Sequence, residues 1–180
     1  MTSAERYAQE LKQSDIDHHT PTAGAMTGHI IANLLVNSLK ISQAKLFAKG
    51  PAALFLDQQG DQWISHEQAV FADLNRLLVN NGESIPTTTD QFKEFTMLEE
   101  DGANKYDSGS DQLFGLIKDF DTQTLFITKA ITLSQQADWP ELTIMLGDLL
   151  AWIKEQIALT QRFLGHDLRT GLYNEDDDDF

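Results

Sequence analysis

The sequence predicts an all-α fold: four long helices in a bundle, a short helix ahead of them and another inside the middle connection. Three observations carry this. Apolar residues recur at i, i+3, i+4 and i+7 through most of the 180 residues. Breaks at Gly50-Pro51, Asn81-Gly82, Trp139-Pro140 and Gly165 leave segments of about 25 residues, each with one apolar face, as a bundle requires. No alternating run of β-branched and aromatic residues competes as a strand.

Each element has its own signals. Thr2 followed by Glu5 reads as a capping box opening a helix to about Gln13, with Ala4, Tyr7, Ala8 and Leu11 on one stripe. SDIDHHTPT then reads as a polar linker. Thr20-Pro21 reads as the N-cap and first residue of a helix that reaches Lys49. A second long helix, from about Ala53 to Asn80, aligns Trp63, Val70, Leu74 and Leu77. The polar stretch from Glu83 to Gly109 carries one short helix, near Asp90 to Leu98. A third long helix aligns Leu113, Ile117, Phe120, Ile127 and Ile131. Asp138 and Glu141 bracket Trp139-Pro140 as a capping box for the last, which carries Leu142, Met145, Leu149, Trp152, Ile153 and Phe163. The expected organisation is an N-terminal extension over 1–20, a bundle over 21–167 and an acidic tail over 168–180.

Composition removes several function classes. A net charge of −15 is wrong for a surface that binds nucleic acid all round, because phosphate contacts need clustered Lys and Arg. It suits a protein that attracts cations, or one that simply stays in solution. The acids from Glu175 to Asp179 read either as a solvated tail or as a cation-attracting patch on an assembly. With no cysteine, disulfides, thiolate metal sites and cysteine nucleophiles are excluded. MTSAERYAQELK lacks the apolar run of a secretion signal, and no segment is apolar enough to span a bilayer. A cytoplasmic protein with no membrane partner is expected.

Lys49-Gly50-Pro51 with Leu54-Phe55-Leu56, then Gly82 and Pro86 with Phe92-Lys93-Glu94-Phe95, and finally Phe163-Leu164-Gly165 form an ordered set. In that order and near that spacing, they resemble the Dps (DNA protection during starvation) family of mini-ferritins, from about Met26 to Gly165. The resemblance implies a ferritin-like bundle and a hollow homo-dodecamer that stores iron, limits peroxide damage and, in some members, binds DNA at the nucleoid. It also implies a ferroxidase site at a two-fold interface, with histidines from one subunit and carboxylates from the other.

Counted from Gly50, the ferroxidase positions hold Lys45, Asp57, Asp61, Ala72 and Arg76. The last four share a helical face through spacings of 4, 11 and 4. Only Asp57 and Asp61 suit Fe(II). A protonated Lys45 cannot ligate, Ala72 has no donor, and Arg76 brings a permanent positive charge. Loss of the site is expected, with Lys45 and Arg76 balancing the carboxylates in the metal's stead; plain drift of exposed residues gives the same set.

Asp15, His18 and His29, spaced D-x2-H-x10-H, resemble an extra metal site that some Dps members build between the N-terminal extension and the first bundle helix. Zn(II) or Fe(II) suits such mixed ligands. The further carboxylate expected five residues on is Leu34 here, so Asp17 or water would complete the shell. A polar linker with solvent-facing histidines is the alternative. His66 and His166 read as surface residues. Asp138, Glu141 and Asp148 suit the acidic three-fold pore through which the family admits iron, or merely acids favoured by a helix dipole. The family's extensions can also reach DNA, which assigns that role to Arg6 and Lys12.

Residues 1–20 nevertheless hold two basic side chains against four acidic ones, so one copy binds DNA weakly and only multiple copies could compensate. The same helix could instead bury Tyr7 and Leu11 on a neighbouring subunit. Three functions therefore stand: an iron-sequestering mini-ferritin that protects DNA, a non-enzymatic DNA-associating shell, and an unrelated helical interaction module.

Overall fold

A computed structural model describes residues 1–173; the acidic run Glu175–Asp179 lies outside them. Its helices are α1 (Ser3–His19), α2 (Ala23–Phe47), α3 (Pro51–Asn80), α4 (Thr89–Phe95), α5 (Gly109–Gln136) and α6 (Pro140–Leu164), with a 3-10 turn at Gly102–Tyr106. Among the described residues there is no strand, and no helix is long and apolar enough to cross a membrane.

The ferritin-like four-helix bundle comprises α2, α3, α5 and α6. Helix α2 packs against α3 and α5, α5 packs against α6, and α4 lies across α2. The apolar stripes meet in one core of Ile30, Leu34, Leu56, Leu74, Ile117, Ile127, Leu149 and Ile153, at its centre Trp63 and Phe120. Their rings meet edge to face at 5.2 Å, and the Trp63 Nε1–H donates to Gln156 Oε1 at 3.0 Å, so the indole is buried without an unmet donor.

The structure moves two boundaries and removes one expected cap. Helix α1 does not stop near Gln13: its last turns run through SDIDHH to His19. Gln13 Nε2 donates to Asp17 at 2.9 Å, and the His18 and His19 rings bond the Ser14 and Asp15 carbonyls, so local pairs and a histidine-rich C-terminus sustain it. Only Thr20-Pro21-Thr22 then remains as connection, and Thr22, not Thr20, caps α2 through the Ala25 N–H. The expected Asp138/Glu141 capping box is absent. Trp139 occupies the N-cap of α6 without a side-chain bond, while Asp138 takes a left-handed φ of 52° to make the sharp turn from α5.

Beyond α6 the chain does not run straight into solvent. After Gly165 closes the helix at φ 75°, Gln161 Nε2 donates to the carbonyls of Leu168 and Thr170. Arg169 grips Asp121 on α5 with two bonds and Leu172 is buried, so residues 168–173 are strapped to the bundle.

Candidate metal centre

The C-terminal end of α1 meets α2 and α4 through two imidazoles. The His18 and His29 rings lie edge to face, centroids 4.9 Å apart, and His18 stacks on Phe95 at 4.6 Å. Each ring is anchored by Nδ1, His18 on the Ser14 carbonyl at 2.6 Å and His29 on the Phe95 carbonyl at 2.7 Å. A ring that donates Nδ1–H to a carbonyl keeps its lone pair on Nε2, the arrangement seen behind metal-bound histidines. The Nε2 of His18 is buried and has no partner among the described residues. Burial, the largest influence on His29, lowers its pKa and keeps the imidazole neutral, as a ligand must be.

The expected third ligand is elsewhere. Asp15 is 78% exposed and faces His19, one turn on along the outside of α1, not His18 and His29. Asp17 faces inward, where a cavity of about 30 Å³ is lined by Ser14, Asp17, His18, Gln91 and Glu83. Burial and, next, the neighbouring Asp17 charge raise the pKa of Glu83. Among the described residues no three His, Asp or Glu side chains already converge as a metal cage. His29 also has a structural role. With Asn33, whose Oδ1 accepts from the Thr96 hydroxyl and the Met97 N–H, it staples the end of α4 to α2.

At the positions expected for a ferroxidase site the arrangement is of another kind. Lys45, half-buried at the end of α2, bonds its ammonium directly to Asp61. Its stem lies on Gly60, where a Cβ would stand 2.6 Å from Lys45 Cδ, so the glycine is what admits it. Asp57 and Ala72 are exposed, and Arg76 pairs with Asp73 on its own helix at 2.9 Å. Lys45 thus reaches one carboxylate of the pair, Asp61, while Arg76 is engaged with Asp73 instead. On α1, Arg6 and Lys12 are exposed, as are Tyr7 (39%) and Leu11 (44%), and no residue of the helix is buried. Asp138, Glu141 and Asp148 are all exposed around the first turns of α6.

A further polar group lies in the core, outside the residues the sequence singled out. Glu67 is fully buried between α2, α3 and α5, accepting from Asn37 Nδ2 at 2.6 Å and Ser38 Oγ at 3.1 Å. Burial pushes its pKa up to about 8, against the two hydrogen bonds, and the nearby Asp119 charge adds to the rise. Asp119 is itself held by Lys40 at 2.7 Å. The signal was available: Glu67 sits on the Trp63–Val70–Leu74 stripe, where a solvated glutamate has no place. Nor are His66 and His166 open surface residues. His66 stacks on Trp152 at 4.1 Å and His166 bonds Gln161 at 2.8 Å.

Solved structures share this architecture. DpsB of Lactococcus lactis is 33% identical over 91% of this chain and 95% of its own, with a TM-score of 0.85. DpsA of the same organism is 30% identical over 93% of this chain and 98% of its own, at 0.87. Dps from Listeria monocytogenes, at 22% identity and a TM-score of 0.78, shares the fold. No protein-family model and no curated relative matches the chain.

Proposed function

Because this chain belongs to the Dps family, we propose that it is the subunit of a cytoplasmic, nucleoid-associated dodecameric shell that sequesters iron and protects DNA under oxidative stress, without oxidising iron at the usual interface. One observation carries the second half of this reading: the Lys45 ammonium is bonded to Asp61. Iron arriving there as substrate meets a carboxylate already neutralised, an alanine in place of a donor and a second cation, Arg76, one turn further along. These residues do not fit Fe(II). The N-terminal imidazole pair fits a borderline metal better, because His18 offers a pinned ring with a free Nε2. There Zn(II) or Fe(II) would hold α1 to the bundle, with His18 as the nitrogen ligand and the His29 ring packed against it.

The test compares Fe(II) oxidation by the purified particle with that by the quadruple variant Lys45→His/Asp57→His/Ala72→Asp/Arg76→Glu. The expected result is slow or absent oxidation in the native particle and a large gain in the variant. Fast oxidation by the native particle, with no gain in the variant, would contradict it.

A second reading, a DNA-associating shell that handles no iron, is favoured by α1, which presents Arg6 and Lys12 to solvent. A single copy carries too little positive charge to hold DNA at physiological salt, so association depends on many copies displayed together. Deleting residues 1–14 is expected to abolish retardation of DNA in a gel. Unchanged retardation would remove α1 from the account.

A further inference from the structure

The cavity beside His18 holds a carboxylate that lies far from it in sequence. We infer that Glu83, from the connection after α3, is a ligand of the N-terminal metal site together with Asp17 and His18, and that Asp15 is not. The inference deepens, and rests on, the reading of that region as a binding site for a borderline divalent cation such as Zn(II).

Four features of the site support it. The cavity, about 30 Å³, has the room of a single ion or water, and Asp17, His18 and Glu83 all line it. The Ser14 carbonyl fixes His18 Nδ1 at 2.6 Å and leaves the buried Nε2 unpartnered. Glu83 has a cradle: a Cβ on Gly24 would stand 2.4 Å from its Oε2, so the glycine lets the carboxylate lie against α2 where a larger residue would push it aside. Finally, the lining contains no Lys or Arg to offset Asp17, Glu83 and a third carboxylate, Glu10. A divalent cation held by the His18 imidazole and the Asp17 and Glu83 carboxylates offsets most of that imbalance. Asp17 has only an exposed bond to Gln13 to give up. Asp15, by contrast, is turned to solvent beside His19.

Such a site changes what the metal does. Ligands on α1 and on the connection after α3 are joined through one ion, so an otherwise lightly packed helix is fastened to the bundle when the metal is present. Leu34, where a carboxylate was expected, then marks no gap, because Glu83 arrives from another segment.

The experiment is calorimetric titration of Zn(II) into the assembled full-length protein and into Glu83→Gln, Gly24→Ala, Asp15→Asn and His18→Ala, with circular dichroism checking that each keeps its helices. Glu83→Gln and Gly24→Ala should each weaken binding by about tenfold or more. Asp15→Asn should leave it unchanged and His18→Ala should abolish it. Hydrogen exchange across residues 3–19 should slow with Zn(II) in the native protein but not in Glu83→Gln. If His18→Ala loses binding while Glu83→Gln binds like the native protein, the metal site stands and Glu83 is no part of it. If the native protein binds no Zn(II), both the site and the role of Glu83 fall.

Discussion

At the scale of single residues, the protein stakes most on Glu67. Its carboxyl is neutral in the folded state up to about pH 8, whereas in the unfolded chain it ionises near its ordinary value of 4.5. The folded state therefore holds the extra proton. The associated stability is complete below pH 4.5, declines as pH rises and is gone above about pH 8, a loss on the order of several kcal/mol. Glu67→Gln copies the neutral form, keeps one acceptor oxygen for Asn37 and turns an N–H donor toward the Ser38 hydroxyl. Urea denaturation at pH 5, 7 and 9 should show the native protein losing stability across that range and the variant losing distinctly less. Equal losses would mean that Glu67 is ionised in the fold. Gly109 makes a different kind of demand, since a Cβ there would stand 2.2 Å from the Lys49 carbonyl oxygen. Backbone cannot step aside as a side-chain tip can, so Gly109→Ala should cost about 2 kcal/mol or more in the same assay.

At the scale of elements, α1 and the bundle obey different rules. The bundle helices are held by continuous apolar faces, and those faces were legible in the sequence because Leu, Ile and aromatic residues repeat at helical spacing. Helix α1 has no buried residue and rests on the bundle mainly through His18 against Phe95 and His29. Removing residues 1–19 should therefore shift the unfolding free energy by no more than about 1–2 kcal/mol, while abolishing DNA retention. A collapse of the bundle on truncation would show that α1 is a structural member. The extent of α1 was not legible. Ser14, Asp15 and Asp17 are ordinary linker residues, and what keeps them helical is a set of i,i+4 contacts with Gln13, His18 and His19. The cap of α6 was misread for a related reason: Asp138 adopts a left-handed turn, which leaves its side chain unable to cap.

At the scale of the whole molecule, the fold and family were readable from the ordered motifs, while the chemistry was readable only in part. The positions where the family resemblance expects a ferroxidase site could be counted from Gly50, and their poor donor set was plain. That Lys45 reaches Asp61 but Arg76 turns to Asp73 depends on side-chain reach, which counting does not give. His18 and His29 were brought together as the spacing suggested, but Asp15 was not. It lies three residues before His18, and on the helix that actually forms, its side chain turns outward to His19. Glu83 escaped notice because nothing local ties it to His18; only the packing of α1 over the connection after α3 does.

On the proposed function, a shell of these subunits keeps its metal at the root of α1 and not at the usual ferroxidase positions. Cryo-electron microscopy of the particle loaded anaerobically with Fe(II), and in parallel with Zn(II), tests this most directly. The expected result is a dodecameric shell with metal density beside His18, and none over Asp57, Asp61, Ala72 and Arg76. Density over those four positions, with none at His18, would contradict it.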